Sequence, residues 1–206
     1  MARVYPQTSI SSSSSFSSTD SYMTMRRETF TLWMKSLVYH GNGCTVFDSK
    51  GNIIYRIDNY NRKCSKEVYL MDLQGKVLFS IRQKKLQVFG HWHGYKWSND
   101  NLIEIPWFQV KKNGYFLWGE YLNYDVTLLG FDEAETSCYK IIGLQGKSEF
   151  KIVSRENKLI AEVKQKKSSC GVQFGDDVLS LVVEPHVDHS LVMAFVTVYG
   201  LIQQRL

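Results

Sequence analysis

His91 and His93, two residues apart in GHWHGYKW, are the most chemically suggestive pair in this 206-residue chain. On a strand, positions i and i+2 point to the same side, so the two imidazoles can share a metal ion. The sequence assigns no third ligand, and a hairpin-loop role or plain exposure is the preferred reading of the pair. Asp176 and Asp177 form an adjacent carboxylate pair of the kind used in acid–base chemistry, but GDDV ahead of the run VLSLVV reads as a turn feeding a strand. Cys44, Cys64, Cys138 and Cys170 are irregularly spaced, without the C-x-x-C pair of a zinc or redox site. The chain has no G-x-S-x-G elbow, no phosphate-binding glycine loop and no H-E-x-x-H. These residues predict no enzyme, no catalytic or metal site and no cofactor.

The remaining candidate chemistry is electrostatic. Arg82, Lys84 and Lys85 cluster in IRQKK, and Lys111 with Lys112 ends another apolar run. Together with the amphipathic aromatics of GHWHGYKW they suit anionic phospholipid headgroups. The competing reading makes them edge-strand lysines that keep sheets from associating. A net charge of +5 is too mild to demand nucleic acid, and no DNA-binding motif occurs, so nucleic acid is not expected as a partner.

Those side chains need a scaffold, and the composition favours strands: 12 Tyr, 11 Phe and 5 Trp against 3 Pro. From Phe30 onward, short apolar runs alternate with turn residues. Asp48, Gly51 and Asn52 mark one hairpin, Asp72 and Gly75 a second, Asn113 and Gly114 a third. LQGK at 144–147 marks a fourth, and FKIVSRENKLIAEV makes another. Val77, Phe79 and Ile81 share one strand face, opposite Leu78, Ser80 and Arg82; Leu159, Ala161 and Val163 oppose Glu162 and Lys164. One face is thus expected to be buried and the other wet. IRQKK and VKQKK end two such strands alike, which is too little to establish a repeat. The runs total about a dozen strands with short connections, so an antiparallel arrangement is expected.

The uncharged run from Leu191 to Ile202 is too short to cross a bilayer as a helix, because about 20 residues are needed. Its length and the possible N-caps Asp188 and Ser190 nevertheless favour a helix. A helix apolar on all sides must be surrounded. A closed sheet of about 12 strands leaves an interior that a helix about 10 Å across can fill. The sequence therefore predicts a mainly β protein, a 12-stranded antiparallel closed barrel enclosing a hydrophobic C-terminal α-helix over about residues 188–203. Residues 8–21, TSISSSSSFSSTDS, cannot bury enough apolar surface to order themselves. The expected division is a disordered Ser-rich tail over 1–28 and one barrel domain over 29–206. That tail is a candidate for phosphorylation or targeting. No secretory signal, N-glycosylation acceptor, myristoylation or prenylation motif is found. A cytoplasmic or nuclear location is expected, peripheral at the plasma membrane if lipid is bound, with no transmembrane span.

TLWMKSLVY, VFDSKGNIIYRIDNY, EVYLMDLQGKVLFSIRQKKL, FKIVSRENKLIAEVKQKKSS and GDDVLSLVVEPHVDHSLVMAFVTVYGLI resemble the plant LURP-one-related proteins over roughly Phe30 to Leu206. The resemblance implies a tubby C-terminal-like fold, shared with tubby proteins and phospholipid scramblases, and a link to plant defence. It implies no enzyme activity. The expected function is a non-catalytic binding or signalling module, tethered through phosphoinositide and acting with a protein partner yet to be identified. A scramblase-type lipid translocator and a transcriptional regulator are the alternatives.

Overall fold

The same turn chemistry recurs three times along the wall of the computed structural model, which describes residues 22–35, 42–59, 67–84, 91–98, 101–113, 121–129 and 138–206. Asp48 Oδ1 accepts from the backbone N–H of Lys50 and Asn52, Asp72 Oδ1 from Lys76, and Ser154 Oγ from Glu156 and Lys158. The fourth turn position is left-handed each time: Gly51 (φ 85°), Gly75 (φ 82°) and Asn157 (φ 62°). A register shift accompanies each turn, at Val46/Phe47, Leu70/Met71 and Ile152/Val153. A short oxygen acceptor followed three residues later by Gly or Asn therefore closes a hairpin and twists it through a bulge. The Ser-rich tract and Gly114 lie outside the described residues.

The strands are β1 (Glu28–Trp33), β2 (Asn42–Phe47), β3 (Ile53–Asn59), β4 (Glu67–Asp72), β5 (Val77–Gln83), β6 (Trp92–Ser98), β7 (Asn101–Leu102), β8 (Phe108–Lys112), β9 (Tyr121–Leu128), β10 (Cys138–Leu144), β11 (Phe150–Ser154), β12 (Leu159–Gln165) and β13 (Val178–Val183). Each pairs antiparallel with its sequence neighbours, except that β7 is a two-residue appendage on β6 and β8 takes its place in the ring. β5 pairs with β6, and β13 with β1, so 12 strands close on themselves. Closure leaves none of these 12 with a free edge. The edge-protection reading is thereby overturned for Lys84, which follows β5, and for Lys111 and Lys112 on β8.

The interior is filled by α1 (His189–Ile202), where Val192 to Gly200 are all buried. Asp188 is the N-cap, its Oδ1 accepting from the N–H of Ser190 (2.8 Å) and Leu191 (3.2 Å). At the other end Gln204 is left-handed (φ 56°), while Arg205 N–H reaches Gly200 O and Gln204 N–H reaches Leu201 O. That geometry folds Leu206 back over the helix stop, where it is 9% exposed. Phe195 meets Phe108 edge-on at 5.1 Å, and Tyr199 stacks on Phe150 at 4.1 Å. Gly143 on β10 faces Tyr199, and a Cβ there would overlap the Tyr199 hydroxyl. Fourteen residues give a helix of about 21 Å, and no helix among the described residues is long and apolar enough to cross a membrane.

The alternation expected along the strands holds with two corrections. Leu159 is 37% exposed, because the bulge on the β11–β12 ladder takes it out of step with buried Ala161 and Val163. Leu78, expected on the outer face of β5, joins the core at 7% exposed because the Leu70/Met71 bulge puts it out of step, and Ser80, on that outer face, is 0% exposed. Tyr69 and Tyr95 stand opposite Ser80 on β4 and β6, so large neighbours shield that part of the outer wall.

Candidate functional site

Alternating strand direction gives the barrel two ends of different chemistry. The mouth is where α1 begins, together with the turns after β2, β4 and β11; the foot is where α1 stops, together with the connections after β5, β8, β10 and β12.

At the foot, the ladder sets Arg82 of β5 opposite His93 of β6, and His93 opposite Gln109 of β8. One step further out, Lys84 N–H donates to His91 O at 2.9 Å. Lys111 lies one position beyond the Trp92↔Val110 pair, beside His91. Lys84, Lys111 and Lys112 are exposed. A cleft of about 370 Å³ opens here, lined by Arg82, Gln83, Lys84, His93, Tyr95 and Pro106. Partial burial, followed by the charges of Lys84 and Lys111, pushes the His93 imidazole below its ordinary pKa; His91 is lowered in the same way. Adding a cation to this surface is therefore costly, whereas an anion would relieve it.

The sequence-derived patch is thus assembled from two strand ends, with differences in detail. Arg82 is already engaged: its Nε lies 2.8 Å from Glu67 Oε1, and its guanidinium stacks 4.9 Å from the Tyr95 ring centroid. Lys111 stands opposite Asp125 in the β8–β9 register. Lys85 lies outside the described residues. His91 and His93 share a face as expected, but their neighbours are lysines, and no three potential ligands gather to hold a metal among the described residues. The patch gains His91, His93 and Tyr95, legible in the sequence only as a nearby loop, and Pro106, which the sequence did not point to.

The Asp176–Asp177 pair is split. Asp177 Oδ2 meets Lys35 Nζ at 3.0 Å, a hydrogen bond that holds its carboxyl below the usual range, while Asp176 Oδ1 accepts from Gln165 Nε2 at 3.3 Å. Val178 N–H closes on Gly175 O at 3.0 Å, so the segment is the turn that the sequence suggested.

The mouth holds a cleft that sequence reasoning missed. It encloses about 390 Å³ between Tyr22, Phe30, Tyr55 and His189, with Glu28, Asp48 and Asp72 also lining it. Tyr55 Oη lies 2.6 Å from His189 Nδ1, and Tyr22 and Phe30 flank the imidazole at 5.9 and 5.4 Å. Burial raises the Tyr55 pKa and lowers that of His189, so both stay neutral. This neutral pair fixes the start of α1 to β3. Residues 22–27, assigned by sequence to the tail, belong to this end: Met23 bridges Asp188, and His186 N–H donates to Thr24 O. The only sequence signal was a histidine directly after a helix N-cap.

Comparison with known proteins agrees with this architecture. The family model described as LURP-one-related matches residues 28–200. Protein LURP-one-related 11 and Protein LURP-one-related 4 of Arabidopsis thaliana are 43% and 45% identical to the chain; the alignments cover 98% of it and 89% and 87% of those relatives. Protein LURP-one-related 3 from the same plant is 46% identical over 90% of the chain and 84% of its own length. None of these names describes a catalytic activity. The X-ray structure of an Arabidopsis thaliana protein superposes with a TM-score of 0.60 at 15% identity, covering 88% of this chain and 94% of that one. At that identity the likeness concerns the fold alone.

Proposed function

The chain belongs to the LURP-one-related family, and we propose that it is a non-catalytic binding module whose cationic foot engages anionic phosphate headgroups, phosphoinositides in particular, and so tethers it at a membrane surface. The observation that carries this reading is the convergence of Lys84 and His93, which line the cleft, with neighbouring His91 and Lys111 on a wall that has no edge to protect. A phosphate dianion there would meet two ammonium groups and two imidazoles able to take up protons. The role in plant defence implied by the resemblance belongs to the same proposal, as recruitment of the module to the plasma membrane. A scramblase-type activity would require α1, with Val192 to Gly200 buried, to leave the barrel for lipid, and nothing in the packing favours that.

Vesicle sedimentation tests the reading. Binding should rise when phosphoinositide is added to phosphatidylcholine vesicles and fall as salt is raised. Each lysine near an anionic surface is worth about 1 kcal/mol, so Lys84→Ala with Lys111→Ala should weaken binding roughly 30-fold. Equal sedimentation with and without phosphoinositide at moderate salt refutes it.

A further inference from the structure

The connection from β12 to β13 carries apolar side chains that the core does not use. Residues 166–174 continue the two strands as a short hairpin. Phe174 N–H donates to Lys166 O, Ser168 N–H to Val172 O, and Lys167 bridges Gln173. Its tip is the turn Ser168–Gly171, with Gly171 at φ 81° and Ser168 Oγ accepting from Val172 N–H at 3.1 Å. Val172 and Phe174 are 67% and 45% exposed, and neither belongs to the hydrophobic core. The hairpin is held firmly: Gln165 Nε2 donates to Phe174 O at 3.0 Å, and Lys166 Nζ donates to Thr31 Oγ1 at 2.5 Å while standing 6.0 Å from the Phe174 ring centroid. Exposed Lys164 and Lys167 flank it.

The place of this hairpin in the barrel gives it a meaning. VKQKK, which leads into it, ends β12 at the foot as IRQKK ends β5, and the two strands stand six apart in either direction around the 12-stranded ring. The foot therefore carries lysines on opposite sides of a barrel roughly 20–25 Å across. Between them, on β9, Tyr121 is 68% exposed. Cations at both margins with projecting Val and Phe at one of them are complementary to a flat anionic surface with an apolar interior.

We propose that hairpin 166–174 is a membrane wedge: Val172 and Phe174 enter the interfacial layer of an anionic bilayer while the lysines around the foot hold its headgroups. The orientation of the barrel in this proposal rests on the reading of the cationic foot given above.

Cys170, exposed at the hairpin tip, is a ready position for a nitrobenzoxadiazole label. Cys44 is buried and its thiol is pushed up to about 12, so only Cys64 and Cys138 need replacing by serine. With vesicles of phosphatidylcholine, phosphatidylserine and phosphatidylinositol bisphosphate, the label should brighten, shift to the blue and be quenched by doxyl-labelled lipid. Val172→Ser with Phe174→Ser should weaken vesicle binding about tenfold or more and leave binding of soluble inositol phosphates unchanged. A label that stays in water on vesicle-bound protein, or a double variant that binds vesicles like the parent, overturns the wedge and leaves the headgroup reading standing. Insertion without any affinity for soluble headgroups sustains the wedge and removes the headgroup reading. Absence of vesicle binding overturns both.

Discussion

Gly143 gives the sharpest way to perturb the seat of the helix within its wall. A Cβ at this position would overlap the Tyr199 hydroxyl, lie 2.8 Å from Tyr199 Cζ and 3.1 Å from Phe150 Cβ. Tyr199 cannot swing aside freely, because it is stacked on Phe150 and closed in by the wall, at 2% exposure. Overpacking of this kind costs about 1–3 kcal/mol, and a contact this close belongs in the upper half of that range. Tyr199→Phe alone loses only long hydrogen bonds, 3.4 Å each to Leu144 O and Lys147 O, worth about 1 kcal/mol or less. It also removes the atom that the new methyl strikes first. Gly143→Ala should therefore lower the melting temperature by about 5–10 °C for a chain of this size, and adding Tyr199→Phe should recover part of the loss. In urea unfolding followed by tryptophan fluorescence, the double-mutant cycle should give a favourable coupling of about 1 kcal/mol or more. Additive costs, or a harmless Gly143→Ala, would mean that Tyr199 does not lie against β10 and that the helix is seated elsewhere.

Other outcomes follow from the same contacts. Val196→Asp places a carboxylate among apolar groups at a site 4% exposed, and should abolish cooperative unfolding, as read by calorimetry. Asp188→Ala removes the acceptor for two helix N–H groups and should cost about 1 kcal/mol in denaturant titrations. His189 is lowered by burial, so the folded state binds fewer protons than the unfolded chain just below the ordinary histidine pKa. Stability should fall as the pH drops through about 6.5, and the difference between the parent and His189→Asn melting curves should isolate that loss. His91 and His93 are lowered by partial burial and by the lysines beside them, so headgroup affinity should rise as pH falls below about 6.5 and both become protonated; binding isotherms of His91→Ala with His93→Ala should lose that slope.

Much of the wall was legible because local chemistry dictates it. Asp48 and Gly51, Asp72 and Gly75, and Ser154 and Asn157 encode their turns within five residues, and Asp188 marks the helix start one residue from where it occurs. The length of the apolar run excluded a span and called for an enclosure, and the wall does close around α1. What escaped depends on register, which alternation alone leaves open. Arg82 finds Glu67 across a ladder, Tyr55 finds His189 at 134 positions' remove, and one bulge carries Leu159 out to solvent. The foot was half legible: the lysines could be counted in the sequence, but only the register of β5, β6 and β8 sets their ends side by side, and only closure takes away the edge that would otherwise have explained them.

Hydrogen exchange on the vesicle-bound protein tests most directly whether the helix is the permanent core of a barrel that docks by its foot. The amides of Val192 to Gly200 should exchange only through global unfolding, equally in solution and on phosphoinositide vesicles, while those of hairpin 166–174 gain protection on the vesicles. Loss of protection along the helix on binding would mean that it leaves the barrel for lipid, and would contradict both the packing and the function derived from it.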